Sequence, residues 1–381
     1  MQDGKRNDQR AGSSGMSFLP LLSGRGCENC ARKRLRPFKK FMVGNTKKKQ
    51  KRGIFMCTAI SYKTQDHYFG RNLDLEYSYE ESVTITPRNY PFTFRKEATM
   101  EHHYAIIGVA YVHSDYPLYY DAVNEKGLGI ASLNFPGNAV YQHEKESMHN
   151  VTPFELIPWV LGQCQNVQEA KQLLKKTNLL KVSFHKDLPL TPLHFMISDK
   201  YDSIVVEPMS EGLRIYDNPI KVLTNNPPFP YHLFHLNNYM NLTKKEPVNR
   251  FAKELPLEIY SRGMGSIGLP GDMSSPSRFV RAAFIKWNSV DGKDETESVS
   301  QFFHILDSVK QYKGCVQVES GAYEYTVYSV CCNTDKGIYY YKTYHNSCVT
   351  AVDMHREDLD GEKLVMYKLE MDGEVRWGNA R

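Results

Sequence analysis

Cys57 directly follows Met56, and Met56-Cys57-Thr58-Ala59-Ile60 reads as the opening of a protein set inside a longer chain. A cysteine exposed by removal of its methionine carries a thiol and a free α-amine on one residue, so nucleophile and base need no second side chain. Any peptide bond to the Cys57 nitrogen abolishes that amine, and residues 1–55 stand in front of Met56. Downstream, Phe69-Gly70-Arg71-Asn72-Leu73-Asp74 lies one turn and one strand after Cys57, so a hairpin would return Arg71 and Asp74 to the thiol. A guanidinium there lowers a thiol pKa, and a carboxylate can orient an α-ammonium. A surface ion pair at a strand end is the competing reading. Asn134 and Asn225 each end a strand-like run before a proline-containing turn. Two amide donors aimed into one cleft would suit an acyl-transfer oxyanion, although asparagine before proline is also ordinary turn chemistry. Arg278, after Gly268-Leu269-Pro270-Gly271-Asp272, stands at the first turn of a helix, where it could equally cap or pair at the surface.

The elements that must position these residues are strands first. Ile60–Tyr62, His67–Leu73, Val83–Thr86 and Tyr104–Val112 are rich in aromatic and β-branched residues between polar breaks. Tyr119–Val123 and Leu128–Leu133 flank Asn124-Glu125-Lys126-Gly127, which predicts a hairpin with glycine at positive φ. Helices are predicted over Pro153–Gln163 and over Val167–Lys176, the latter capped by Asn166. Strands return at Leu193–Ile197, Ser203–Glu207, Leu213–Tyr216 and Lys221–Thr224. Helices follow at Pro276–Trp287 and Ser300–Lys310, then strands at Tyr323–Cys332, Gly337–Tyr344, Ser347–Met354 and Lys363–Leu369. Strands, helices and strands in blocks predict an α+β layered fold rather than a βαβ repeat. The stretch Pro227–Arg262 reads as mostly irregular, with Tyr231, Phe234, Leu236 and Tyr239 able to pack on a neighbouring subunit.

Charge divides the chain. The net +5 of the whole conceals 15 Lys+Arg against 3 Asp+Glu in residues 1–55, and a net of −7 in residues 56–381. The leader has little with which to bury a core. Its apolar run Phe18-Leu19-Pro20-Leu21-Leu22 is too short for a signal h-region or a membrane span. Arg32–Lys40 and Lys47–Arg52 could bind nucleic acid or anionic lipid, but no aromatic interleaving or folded binding module accompanies them. Cys27-Glu28-Asn29-Cys30 is half a zinc site without its other ligands. The reading preferred here is that translation begins at Met56, since the Lys/Arg/Gly run just upstream demands the purine-rich codons of a ribosome-binding tract. Residues 56–381 then form one domain. Its six cysteines lack the spacing of a disulfide scaffold, and adjacent Cys331 and Cys332 point to opposite faces of a strand, which suggests buried thiols and a reducing, cytoplasmic setting.

Seven blocks stand in order: Met-Cys-Thr-Ala-Ile at 56–60, Tyr-Phe-Gly-Arg-Asn-Leu-Asp at 68–74, Asn-Glu-Lys-Gly-Leu-Gly at 124–129, Leu-Asn-Phe-Pro at 133–136, Val-Leu-Thr-Asn-Asn-Pro at 222–227, Gly-Leu-Pro-Gly-Asp at 268–272 and Ser-Pro-Ser-Arg-Phe-Val-Arg at 275–281. Together they resemble the choloylglycine hydrolase family of bacterial bile salt hydrolases and penicillin V acylases, which are N-terminal nucleophile hydrolases. The resemblance implies a four-layer αββα sandwich and amide hydrolysis without metal or organic cofactor. It implies Cys57 as nucleophile with its α-amine as proton acceptor, Arg71, Asp74 and Arg278 as the charged surroundings, and Asn134 and Asn225 as oxyanion donors. Asn134 and Arg71 would also approach the substrate, conjugated bile salts, with Leu73, Phe135 and Leu193 as walls of an apolar groove. Asn134 favours bile salts over penicillin V, because penicillin V acylases commonly carry tyrosine there. The family also implies a homotetramer; with no binding module beside the basic runs, neither nucleic acid nor stable membrane association is expected. A papain-like enzyme would instead pair Cys57 with His67, His102, His113 or His194, but the local pattern of those proteases is missing.

Overall fold

The computed structural model describes residues 56–379; the readings of the leader, including Cys27/Cys30 and both basic runs, lie outside the described residues. Cys57–Lys63 and His67–Leu75 form an antiparallel hairpin that pairs Cys57 with Leu73, Thr58 with Asn72 and Ala59 with Arg71. Side chains alternate across a strand, so Cys57, Leu73 and Arg71 share one face while Thr58, Asn72 and Asp74 share the other. Val222–Leu223 flanks this hairpin on one side. On the other side follow Tyr323–Asn333, Ile338–Thr343 and Thr350–Asp353, with short Val316–Gln317 also paired to Tyr323–Asn333. The second sheet runs, in spatial order, Gly212–Asp217, Ser203–Met209, Leu193–Ser198, Gly129–Asn134, Tyr116–Asn124, Ile106–His113, Ser82–Thr86 and Val365–Lys368, antiparallel throughout.

Two core clusters explain the layering. One joins the space between the sheets (Val109, Leu133, Met196, Val330) to Phe279 of helix Ser275–Asn288 and Phe302 and Leu306 of helix Glu295–Asp307. The other covers the far face of the second sheet, where Ile130, Phe195 and Val206 meet Leu156, Trp159 and Val160 of helix Leu156–Leu161. Each fully buried Phe, Leu or Val contributes about 1.5–3 kcal/mol of apolar transfer, and a sheet with both faces covered gains on both. The result is the expected αββα sandwich. Among the described residues no helix is long and apolar enough to cross a membrane.

The hairpin glycine behaves as anticipated: Gly127 takes φ +87° and donates to the Asn124 carbonyl at 2.9 Å. Gly70 has a different reason. A Cβ there would lie 1.9 Å from the Val330 carbonyl oxygen, so the close approach of His67–Leu75 to Tyr323–Asn333 admits only glycine. Gly70→Ala is expected to cost about 3 kcal/mol, as overpacking does, and to lower the melting temperature measured by circular dichroism.

Three elements differ from the sequence expectation. The helix expected from Ser300 starts at Glu295, because the Asp294 carboxylate accepts the Glu297 N–H at 2.9 Å and acidic residues suit the first turn. The helix expected from Pro153 starts only at Leu156. The stretch after Pro227 is partly helical: Phe229–His235 is an α-helix and Leu236–Tyr239 a 3₁₀ turn, seeded by Pro228 and Pro230 near the helix start. Its Tyr231, Phe234 and Met240 are exposed, whereas Leu236 packs on the core.

Candidate active site

Cys57 begins the first strand and is only 3% exposed. Its backbone nitrogen donates to Asn225 Oδ1 at 2.7 Å. The same Oδ1 accepts from Arg278 Nη2 at 2.8 Å, while Asn225 Nδ2 donates to the Asn134 carbonyl at 2.8 Å. Arg278 is fully buried and its Nη1 donates to the Cys57 carbonyl and to Thr58 Oγ1, both at 2.6 Å. It arrives there because Ser275, at the start of its helix, accepts the Asn225 N–H at 2.8 Å and bonds Thr224 Oγ1 at 2.9 Å. Asp272 of the Gly-Leu-Pro-Gly-Asp block holds the same helix start, accepting from the Ser274 N–H at 2.9 Å and Ser277 Oγ at 2.5 Å.

Arg71 and Asp74 approach Cys57 from different sides, as two residues three apart in one strand must. Arg71, fully buried, lies on the inter-sheet face, and its Nη1 donates to the carbonyls of Ser132 and Tyr120 in the second sheet. Asp74 lies on the helix-facing side: Thr326 Oγ1 donates to its Oδ1 at 2.6 Å, and no partner accompanies Oδ2. Its backbone N–H donates to the Met56 carbonyl at 3.2 Å and also favours the Cys57 thiolate.

Two further acids belong here that sequence reasoning missed. Glu324, 1% exposed, accepts the Met56 N–H at 2.5 Å. Asp121, 2% exposed, accepts from the hydroxyls of Tyr328 and Tyr339 and faces Arg71 electrostatically. The available signal was a carboxylate inside an aromatic strand run, Tyr323-Glu324-Tyr325 and Tyr119-Tyr120-Asp121. Burial pushes the Cys57 thiol up; Arg71 pulls it down, and Asp74 and Glu324 push it up again. Burial raises Asp74 to about 6 against the pull of Arg278, the Thr326 hydroxyl and Arg71. Burial and the neighbouring Asp74 raise Glu324 to about 8.

Asn225, Arg71, Asp74 and Arg278 are thus gathered around Cys57, and Asn134 joins them through its carbonyl, which accepts from Asn225. The groove residues divide. Leu73 sits directly across from Cys57 and is buried. Phe135 has no exposed surface and stacks on His194 at 4.3 Å, while Leu193 packs against the core on the far face of the second sheet, so neither lines an open cleft in this structure. The histidines of the papain-like reading are committed elsewhere: His67 to Ser61 and Thr334, His102 to Asn89, His194 to Glu207 and Thr224, and His113 to Ser114, with Phe184 edge-on to its ring. Cys331 and Cys332 are buried, and the six described cysteines are unpaired thiols. Among the described residues no cluster of three or more His, Cys, Asp or Glu could hold a metal.

A family model described as linear amide C-N hydrolases, choloylglycine hydrolase family, matches residues 57–367, beginning at Cys57 itself. The chain is 56% identical over 319 residues to a bile salt hydrolase/transferase of Lactiplantibacillus plantarum, covering 84% of this chain and 98% of that one. The crystal structure of a cysteine-to-alanine variant of the conjugated bile acid hydrolase from Clostridium perfringens superposes with a TM-score of 0.79 at 36% identity, covering 85% of this chain and all of that one. A penicillin V acylase from Agrobacterium tumefaciens, at 18% identity and a TM-score of 0.65 over 84% of this chain and 94% of its own, shares the fold.

Proposed function

The chain belongs to the choloylglycine hydrolase family of linear amide C-N hydrolases, and from that premise we propose that it hydrolyses the amide bond of glycine- and taurine-conjugated bile salts with Cys57 as an N-terminal nucleophile. The observation that carries this reading is the Cys57 nitrogen held at 2.7 Å by Asn225 Oδ1, an orientation that a hydrogen-bonded α-amine beside its own thiol would need. Charge balance supports it. Asp74, Glu324 and Asp121 are three buried carboxyl groups around two buried guanidiniums, Arg71 and Arg278. An α-ammonium at Cys57 would supply the missing positive charge.

In the proposed cycle the Cys57 thiol gives its proton to the α-amine and the thiolate attacks the amide carbonyl. Arg71 favours that thiolate from the inter-sheet side, opposing the burial that otherwise keeps the thiol protonated. The tetrahedral oxyanion forms next to the Asn134 and Asn225 strand ends, which we assign as its donors. The C–N bond breaks as the amine nitrogen takes the proton, releasing glycine or taurine. Water then hydrolyses the thioester, restoring thiol and amine. Arg278 fixes the Cys57 carbonyl throughout, and Asp74 favours the ammonium during the part of the cycle in which the amine holds the proton. Met56, between Asp74 and Glu324, must be absent for the cycle, so the domain of residues 56–381 acts only once the bond between Met56 and Cys57 has been cut.

Glycocholate and taurocholate should release glycine and taurine, measured by ninhydrin, at least ~10-fold faster in kcat/KM than penicillin V releases its acid, a discrimination within reach of a polar contact. Faster cleavage of penicillin V would overturn the bile salt assignment. The exposed Tyr231, Phe234 and Met240, with Val248, Phe251 and Tyr260 beyond them, support a homotetramer assembled through this extension. A monomeric mass by multi-angle light scattering would refute it. The unpaired thiols support a cytoplasmic location.

A further inference from the structure

Asn225 is gripped from behind by two buried histidines that the cycle above does not use. His194, fully buried in the second sheet, has Nε2 at 2.8 Å from the Thr224 carbonyl oxygen. A carbonyl only accepts, so Nε2 carries a proton. Nδ1 lies 3.3 Å from Glu207 Oε1, which also accepts the Phe229 N–H at 2.8 Å. The ring is further fixed by stacking on Phe135, at 4.3 Å and 3°. His232, 1% exposed, comes from helix Phe229–His235 and donates from Nε2 to the Asn225 carbonyl at 2.9 Å. Its ring stacks on Phe279, the residue after Arg278, at 4.7 Å. Burial lowers His232 to about 4, so near neutral pH it is an uncharged imidazole with one donor, and that donor is spent on Asn225.

The segment is therefore held on every side. The carbonyls of Thr224 and Asn225 take two histidines, the Asn225 N–H goes to Ser275 Oγ, and the side chains of Asn225 and Asn226 donate to the carbonyls of Asn134 and Pro136. The strand pairing ends at Leu223, so no sheet ladder serves Thr224 or Asn225. Side chains must supply what the ladder does not. The two histidines also sit against the other half of the site, His194 on Phe135 beside Asn134 and His232 on Phe279 beside Arg278.

We propose that His194 and His232 are positioning residues that clamp the Thr224-Asn225 backbone from the second sheet and from helix Phe229–His235, setting the Asn225 amide against the Cys57 nitrogen and the Asn134 turn without taking part in proton transfer. This rests on the Cys57 mechanism above. A clamp acting through Asn225 controls the geometry of the reacting group rather than the affinity for the steroid, so its loss lowers kcat more than it changes KM. A misplacement of about 1 Å at a reacting group costs up to ~100-fold in rate.

The test uses the chain beginning at Cys57 with glycocholate as substrate, and compares His194→Leu, His194→Gln, His232→Leu and His232→Gln. A glutamine places an amide N–H where Nε2 stood but cannot shuttle protons as imidazole does. The leucine variants should lose ~10- to 100-fold in kcat with KM within about twofold. The glutamine variants should recover most of that loss, with the pH midpoints of kcat/KM unchanged. Should His194→Leu fail to fold, because it strands Glu207, His232→Leu with its glutamine partner carries the test alone. Folded leucine variants with wild-type kcat, glutamine variants no better than leucine, or a displaced pH midpoint would each overturn the clamp. A control separates this from the parent mechanism: if Cys57→Ala retains activity, the nucleophile assignment has failed and not the clamp.

Discussion

Cys57→Ser, in a chain that starts at residue 57, should lose at least ~10³-fold in glycocholate hydrolysis, as loss of a nucleophile does in enzymes that form acyl intermediates. The protein that retains residues 1–56 should be equally inactive although its thiol is intact. The two losses have different causes. Serine keeps the hydrogen bond from the residue 57 nitrogen to Asn225 but offers a far weaker nucleophile. The retained leader keeps the thiol but turns the nitrogen into an amide, which cannot accept a proton, and places Met56 between Asp74 and Glu324, with its carbonyl on the Asp74 N–H and its N–H on Glu324. Cys57 is then almost fully covered and its thiol pKa is raised by that burial. Intact mass, iodoacetamide labelling and glycine release on the same preparations separate these cases. Full amidase activity in protein shown by mass to begin at Met1 would refute the free-amine mechanism.

The strand that carries Arg71 and Asp74 shows what sequence can and cannot say about such a site. Alternating aromatic and β-branched residues announced the strand, and the short polar turn before His67 announced the hairpin, because both are local properties. Cys57 opposite Leu73 follows from that hairpin. The distribution of roles did not follow. Arg71 and Asp74 were expected side by side at the thiol, whereas a spacing of three sends one towards the second sheet and the other towards the helices. Which partners wait on each side is a matter of packing between elements more than a hundred residues apart, as with Thr326 on Asp74. Glu324 and Asp121 were missed for the same reason: a carboxylate in a strand is usually solvated, and only the first sheet packed on Asp121 and the N-terminal residues packed on Glu324 bury these two. Phe135 and Leu193 are expected as groove walls because a steroid acyl group needs an apolar groove and both are apolar. The stacking of Phe135 on His194 and the position of Leu193 against the far core depend on layer order, which residue type does not encode.

Glu324→Gln should stabilise the protein that retains Met56, and increasingly so as pH rises from 4 to 9. The Glu324 carboxyl stands at about 8 in the fold, pushed up by burial and by Asp74, against an ordinary carboxyl value of 4.5. Its folded value lies above its unfolded one, so any stability it confers is fully present below about 4.5 and is lost as pH climbs to about 8, because only the unfolded chain is ionised in that window. Glutamine abolishes this loss. The melting temperatures of the two proteins should therefore lie close together at pH 4 and diverge to a gap on the order of 3 kcal/mol in unfolding free energy at pH 9. Asp74, at about 6, contributes the same sign over a narrower range, and its push on Glu324 is part of the gap that glutamine removes. The chain beginning at Cys57 makes the contrast informative. There an α-ammonium replaces the Met56 amide, favours ionised Glu324 and Asp74, and draws both values down. The gap between wild type and Glu324→Gln should shrink or reverse in that form at neutral pH. An equal gap in both forms, read by thermal denaturation across the pH series, would show that no positive charge develops at the Cys57 nitrogen, and the proposed balance of three carboxylates by two guanidiniums and an ammonium would fail with it.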